Sequence, residues 1–146
     1  MRRRSELLVI SAALFALCGE VHARPAGGIE GAWTLETAMN DAIGCVIRGE
    51  ATIAAARNGR HRVQLESVQT CPQSGSFWAR ETCEATVQAQ RVTMACTVVA
   101  SQSGGYRPDS FDLLREGPSL MKGRLVDTGV WNTDVTWRRA TASLVS

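Results

Sequence analysis

The sequence is poor in several residue types that metal binding and nucleic-acid binding commonly use. It has two histidines, His22 and His61, and a single tyrosine, Tyr106. So few histidines cannot build a histidine-rich zinc site, and one tyrosine gives no platform on which bases could stack. The formal net charge of +2 provides no electrostatic footprint for nucleic acid. We therefore predict no metal, no cofactor and no nucleic-acid partner.

Catalytic signatures are missing as well. No Gly-x-Ser-x-Gly segment is present to expose a nucleophilic serine. His61 is predicted to be a surface histidine at the end of a hairpin. The acidic pairs Asp109 with Asp112 and Glu81 with Glu84 have no apolar sequence context that would separate their pKa values, so we expect solvated strand ends. The sequence predicts a protein that is not an enzyme and has no catalytic residues.

The apolar run near the start of the chain is too short to cross a membrane. Three arginines at 2–4 precede an apolar stretch at 7–17, whereas a spanning helix needs about 20 residues. Val21-His22-Ala23 supplies a cleavage site of the export type. We predict that residues 1–23 are a signal peptide and that 24–146 form a single domain. The expected location is periplasmic or secreted, without a membrane span.

After the predicted signal, apolar residues alternate with polar ones at a period of two, which is typical of half-buried strands. Turn-forming groups such as Asn58-Gly59 and Gly104-Gly105 separate these runs. The predicted strands are 30–37, 44–55, 60–70, 82–88, 91–100, 109–115, 119–126 and 130–138. Eight sequential antiparallel strands predict an all-β fold, a small up-and-down barrel, with a two-sheet sandwich as the alternative.

Four cysteines remain in the predicted mature chain, at Cys45, Cys71, Cys83 and Cys96. A three-residue hairpin loop at 57–59 places Cys45 opposite Cys71, and a two-residue loop at 89–90 places Cys83 opposite Cys96. We favour disulfides within these two pairs. The competing pairing joins Cys71 to Cys83 and Cys45 to Cys96. The tight cysteine pairs of a zinc ribbon are absent, and disulfides indicate an oxidising compartment.

The predicted inward positions leave two possibilities for the barrel interior. Small residues would leave room for a modest pocket, and large ones would fill it. The small positions are Gly49, Ala51 and Ala85. The large ones are Ile47, Leu65, Met94, Trp131 and Trp137.

Two adjacent aromatics, Phe77 and Trp78, are placed in a polar loop between the second and third of these cysteines. We expect the loop to fold both rings back onto the core, with a lid or contact patch over an open barrel end as the alternative. Trp131 and Trp137 lie on one face of the last strand. Together with Met94, these four aromatics are the candidate contacts for a ligand or partner.

Gly31-Ala32-Trp33 opens the first predicted strand, and Arg138-Arg139 closes the last. The chain thereby resembles the calycins, the lipocalin-type and avidin-type barrels and their small bacterial secreted relatives. In those families Gly-x-Trp plugs one end of the barrel, and an arginine of the final strand packs over the tryptophan. The resemblance implies that Gly31, Trp33 and one of the two arginines form a closing set with a structural role.

These patterns favour an exported, non-catalytic binding module for a small apolar ligand. The alternative is a protein-contact role, such as a protease inhibitor or an envelope-complex component. Exported bacterial inhibitors of metalloproteases are similar in size and share the barrel and the Gly-x-Trp opening. In that case the segment 24–29 or the Phe77-Trp78 pair would make the contact.

Overall fold

A computed structural model describes residues 28–127 and 132–141. The predicted signal at 1–23 and Trp131 lie outside these residues. The described chain folds into eight strands, which are β1 Gly31–Thr37, β2 Val46–Ile53, β3 Arg60–Cys71, β4 Gly75–Gln88, β5 Arg91–Ser101, β6 Ser110–Gly117, β7 Leu120–Val126 and β8 Asn132–Arg139.

The strands form a closed antiparallel barrel in sequence order. Each strand pairs with the next, and β8 pairs with β1, so that Thr34 lies opposite Arg138. Closure gives every strand a neighbour on both sides, although β5 pairs with β6 only over its first residues, Arg91 to Ala95. The all-β, up-and-down prediction is confirmed, and the sandwich is not formed. No helix in the described part of the chain is long and apolar enough to cross a membrane.

The largest departure from the predicted strands is in β4, which begins at Gly75 rather than at residue 82. Because β3 extends to Cys71, its backbone donors and acceptors need a partner strand, and Cys71 pairs with Gly75 across a three-residue turn. Phe77 and Trp78 therefore lie within a strand, and their assignment to a loop was wrong. Consecutive strand residues point to opposite faces, so the two rings cannot form one patch.

Both predicted disulfides are confirmed. Cys45 is bonded to Cys71 and Cys83 to Cys96, and the second pair lies directly opposite in the β4–β5 ladder. Gly59 has φ +74°, the left-handed conformation that the first hairpin loop requires. The bridges close segments with sequence separations of 26 and 13. Loop-closure entropy for segments of this length corresponds to a stabilisation of about 3 kcal/mol each.

The middle of the barrel is filled by side chains. Met94 is 3% exposed and Trp137 is 0% exposed, and the Trp137 ring packs edge-on against Phe111 with centroids 5.1 Å apart. Several other inward residues are completely buried, so no space large enough for a water molecule lies against them. They are Ile47, Val63, Leu65, Ala85, Val92, Leu113, Met121 and Leu125. Of the two possibilities for the interior, the large residues fill it.

Candidate functional site

One end of the barrel is sealed by Trp33 and Arg139. The Trp33 ring is 2% exposed, and its Nε1 donates a hydrogen bond to the Ile29 carbonyl at 2.8 Å. The Arg139 guanidinium carbon lies 4.5 Å from the centroid of that ring, a cation–π contact. The guanidinium also donates to three backbone carbonyls around this end, those of Gly28 (2.9 Å), Glu30 and Pro118 (2.9 Å).

The neighbouring residues have different roles. A Cβ at Gly31 would lie 2.9 Å from Arg139 Nη1, and φ at Gly31 is +117°, so a larger residue would be both strained and crowded. The Arg138 side chain points to the outside of the barrel and is exposed. Of the two arginines it is therefore Arg139 that packs on Trp33. This end of the barrel is therefore occupied by structural contacts.

His61 also lies near this end, and its placement differs from the prediction. It is 7% exposed, and its Nδ1 is 2.8 Å from the Ala54 carbonyl oxygen. The expectation of a surface histidine was wrong, because inward alternation along β3 places His61 on the same face as Val63. Its contact ties the β2–β3 connection to the barrel.

The opposite end of the barrel contains two buried carboxyl groups. Glu81 points inward from β4, Asp109 ends the segment 102–109 between β5 and β6, and they are 1% and 3% exposed. The Asp109 backbone N–H donates to Glu81 Oε1 at 3.1 Å. The Tyr106 hydroxyl donates to Asp109 Oδ2 at 3.3 Å. The Cys96 N–H donates to the Asp109 carbonyl at 3.2 Å.

The expectation of solvated strand ends therefore holds for only one member of each acidic pair. Asp112 is outward and pairs with Arg91 at 2.6 Å, and Glu84 is outward and pairs with Arg60 at 2.9 Å. Asp109 and Glu81 face the interior. The sequence could have shown that Glu81 points inward, because it lies two residues before the inward Cys83 and such residues share one face of a strand.

Burial and mutual repulsion determine how the two buried carboxyls titrate. Burial raises the pKa of Asp109 well above its usual range, and the negative charge of Glu81 raises it further. Burial also raises the pKa of Glu81, but hydrogen bonds from Asp109 offset part of that rise. No arginine or lysine is among the groups acting on either pKa. Two carboxyls in contact without a cation favour a state in which they share one proton.

The hydrogen-bond pattern is consistent with a shared proton. Glu81 Oε2 receives no hydrogen bond from any N–H or hydroxyl group of the described residues. A protonated Asp109 carboxyl can supply that donor, and an ionised one cannot. The pair then holds one negative charge and one proton. Burial raises the pKa of Tyr106, which keeps its hydroxyl in the donor form.

A further buried polar atom lies beside this group. Ser67 points inward from β3, is 3% exposed, and lies close enough to Tyr106 to favour its ionised form slightly. Its Oγ nevertheless has no hydrogen-bond partner among the described residues. Within 28–127 and 132–141, no three His, Cys, Asp or Glu side chains are arranged to hold a metal ion.

A groove of about 1100 Å³ runs along the outer wall across β8, β1, β2, β3 and β4. We call it the outer groove. Its apolar lining includes two large exposed side chains, Val68 and Trp78, which lie opposite each other in the β3–β4 ladder and are each 43% exposed. The charged residues along it are Glu36, Arg48, Glu50, Glu66, Arg80, Asp134 and Arg138.

The arginines of the outer groove differ in their partners. Arg48 pairs with Glu36 at 3.0 Å and Arg80 with Glu66 at 3.1 Å, and all four side chains are more than half exposed. Arg138 forms no ion pair with another residue of the described chain. The outer groove therefore combines an apolar surface with three guanidinium groups. That of Arg138 has no acidic partner among the described residues, and those of Arg48 and Arg80 are held only by exposed ion pairs.

The candidate contact residues thus lie in different places. Only Trp78 lines the outer groove. Phe77 is half-buried on the inward face opposite Gln69, whereas Met94 and Trp137 belong to the core. Trp131 lies outside the described residues. The sequence identified Trp78 as a candidate. It could not show which residues surround Trp78, because the outer groove is formed by residues of five different strands.

Designed β-barrels share this fold. A redesigned barrel, mFAP1, solved bound to DFHBI, is similar with a TM-score of 0.61 and 13% identity over 76% of this chain and 94% of that one. A second, de novo designed fluorescence-activating barrel has a TM-score of 0.55 and 12% identity over 76% and 93% of the two chains. At these identities the likeness shows the fold alone. No protein-family model and no curated protein matches the sequence.

Proposed function

We propose that the protein is an exported, non-catalytic binding module of the calycin type that holds a small amphipathic ligand in the outer groove. The observation that carries this proposal is the exposure of Trp78 and Val68, side by side, within a groove that also presents arginines. Grooves of this size and mixed character are typical of small-molecule sites. The redesigned barrel with bound DFHBI supports the view that a barrel of this fold can hold a small molecule.

The lining favours a ligand with two parts. A planar or aliphatic body would lie against Trp78 and Val68, where it removes apolar surface from water. An anionic group would reach Arg138, or would displace an acidic partner from Arg48 or Arg80. Exposed ion pairs contribute little stability, so such an exchange costs little, and a guanidinium binds a carboxylate through two parallel hydrogen bonds.

This proposal replaces the expectation, drawn from the sequence, of an apolar ligand inside the barrel. Ala85 was one of the small positions expected to leave room, yet it is 0% exposed and touches no water-sized space. The two disulfides indicate an oxidising compartment, and with the predicted signal at 1–23 they support export to the periplasm or beyond.

Titration with 8-anilinonaphthalene-1-sulfonate, an apolar ring system bearing an anion, tests the site. Binding is followed by the fluorescence of the probe for the parent protein, Trp78→Ala and Arg138→Gln. We expect Trp78→Ala to weaken binding about tenfold, which corresponds to about 1.4 kcal/mol. Arg138→Gln should weaken it less, and high salt should reduce the difference from the parent.

Leu114→Ala is the matched control. Leu114 is 57% exposed on β6, which does not line the outer groove. Its substitution should change the affinity less than twofold, a change within about 0.4 kcal/mol. Equal losses in Trp78→Ala and Leu114→Ala would mean that the probe adsorbs to any exposed apolar side chain, and the proposed site would be rejected.

A partner protein is the second candidate occupant of this wall. Val99, at the irregularity of the β4–β5 ladder beside Arg80, is 59% exposed and adds to the apolar surface near Trp78. Exposed tryptophan and arginine are the residue types that dominate protein interfaces. Affinity purification from a periplasmic extract distinguishes the two candidates, since a stoichiometric partner lost in Trp78→Ala would favour the protein-contact role.

A further inference from the structure

The segment 102–109 is fastened to the barrel mainly at its two ends. At its start, the Gln102 N–H donates to the Trp78 carbonyl at 3.0 Å. At its end, Asp109 bonds to Glu81 and Cys96, and Tyr106 reaches back to Asp109. The side-chain contacts of the second attachment all converge on the two buried carboxyls.

We propose that the proton shared by Glu81 and Asp109 is a pH-operated latch that holds the segment 102–109 against the barrel. With the proton in place, the pair has a single negative charge, and Asp109 can donate to the otherwise unpartnered Glu81 Oε2. Without it, two carboxylates face each other in a site that is almost fully buried. Lifting the segment moves Asp109 into water and ends this repulsion.

Within 28–127 and 132–141, no arginine or lysine is among the groups that act on the two carboxyls, so none of them neutralises the second charge. Two other titratable groups act on Asp109, namely Tyr106, a hydrogen-bond donor, and Asp127, whose negative charge adds to the repulsion. The inward residue of β5 opposite Glu81 is Val98, and β3 presents Ser67. Neither of these side chains titrates, so neither can compensate a second negative charge on the pair.

The direction of the pH effect follows from the burial. Because the closed segment holds the Asp109 proton more tightly than the open segment does, the closed state binds more protons. Opening therefore becomes easier as pH rises above the ordinary pKa of an aspartate. For one proton the opening equilibrium increases about tenfold per pH unit, until the raised pKa of Asp109 is passed.

The latch also meets the outer groove, because Gln102 is bonded to the backbone of Trp78. If the proposed function is right, opening of the segment loosens the Trp78 end of the outer groove and weakens binding there at high pH. This second consequence rests on the proposed function. The opening of the segment itself does not.

Hydrogen exchange of the oxidised full-length protein between pH 5 and 8, corrected for intrinsic rates, measures the opening directly. The protection factors of the amides of Gln102, Tyr106 and Asp109 should fall steeply with pH, while those of β6 amides stay constant. In Asp109→Asn the pH slope should be largely lost, because an amide donates to Glu81 at every pH. The exposed Asp112→Asn is the matched control and should keep the parent slope.

The outcomes separate the two proposals. Constant protection of 102–109 across this range in the parent protein overturns the latch, as does a parallel loss of protection throughout β6. Glu81→Gln, with Glu84→Gln as its control, gives the same comparison if Asp109→Asn does not fold. A normal pH slope of exchange combined with no pH effect on probe affinity keeps the latch and removes only its connection to the outer groove.

Discussion

Substitution of Arg139 tests the assignment of the closing arginine. Arg139→Met keeps the length and apolar stem of the side chain but removes the guanidinium, which stacks on Trp33 and bonds to three carbonyls. A partly exposed cation–π contact contributes about 1 kcal/mol. Each hydrogen bond contributes about 1 kcal/mol when its partners remain partly solvated. We expect the free energy of unfolding to fall by about 4 kcal/mol in total.

Arg138→Met is the matched control, since it changes the adjacent residue in the same way but affects an outward side chain with no ion pair among the described residues. Its unfolding free energy should stay within about 0.5 kcal/mol of the parent value. Guanidinium chloride unfolding under non-reducing conditions measures both variants, and the m-value checks that the transition remains two-state. Equal losses in the two variants, or a loss below about 1 kcal/mol in Arg139→Met, would refute the assignment.

Three further predictions concern the core, the bridges and the buried carboxyl. Trp137→Ala should cost about 3–5 kcal/mol of unfolding free energy, whereas Trp78→Ala should cost under about 1 kcal/mol, because only the first ring is enclosed; denaturant unfolding of both variants checks this. Removing the Cys83–Cys96 bridge by a double alanine substitution should cost about 3 kcal/mol relative to the oxidised parent protein, measured by denaturant unfolding under non-reducing conditions. The unfolding free energy should decrease as pH rises above the ordinary aspartate pKa, because the folded state retains the Asp109 proton longer than the unfolded state does. Asp109→Asn should flatten this pH dependence. An unfolding free energy that increases with pH in the parent but not in Asp109→Asn would contradict the prediction.

The barrel was predictable because its determinants are local. Period-two alternation identified most strands, and the hairpin loop ending in Gly59 determined the register that brings Cys45 opposite Cys71. Each of these signals lies within a few residues of the feature it specifies. The beginning of β4 was missed because the residues after Cys71 are polar or glycine and resemble a loop, while the strand there is stabilised by its partner β3.

The candidate site was less predictable because it depends on contacts between distant segments. Nothing near Asp109 in the sequence indicates that its carboxyl meets Glu81, 28 residues away. The choice between Arg138 and Arg139, by contrast, could have been made from the sequence, because Arg139 is two residues after Trp137 and so lies on the same face of the strand. For the outer groove, the sequence showed Trp78 as a candidate but could not show which strands would surround it.

The most direct test of where the ligand binds is amide chemical-shift mapping with 8-anilinonaphthalene-1-sulfonate. Binding in the outer groove predicts the largest shifts at Val68 and Trp78 and at their neighbours on β1 and β2, with saturation at one equivalent. Shifts concentrated at inward residues such as Ala85 and Met94 would mean that the interior opens to hold the ligand. That result would contradict the outer groove as the binding site.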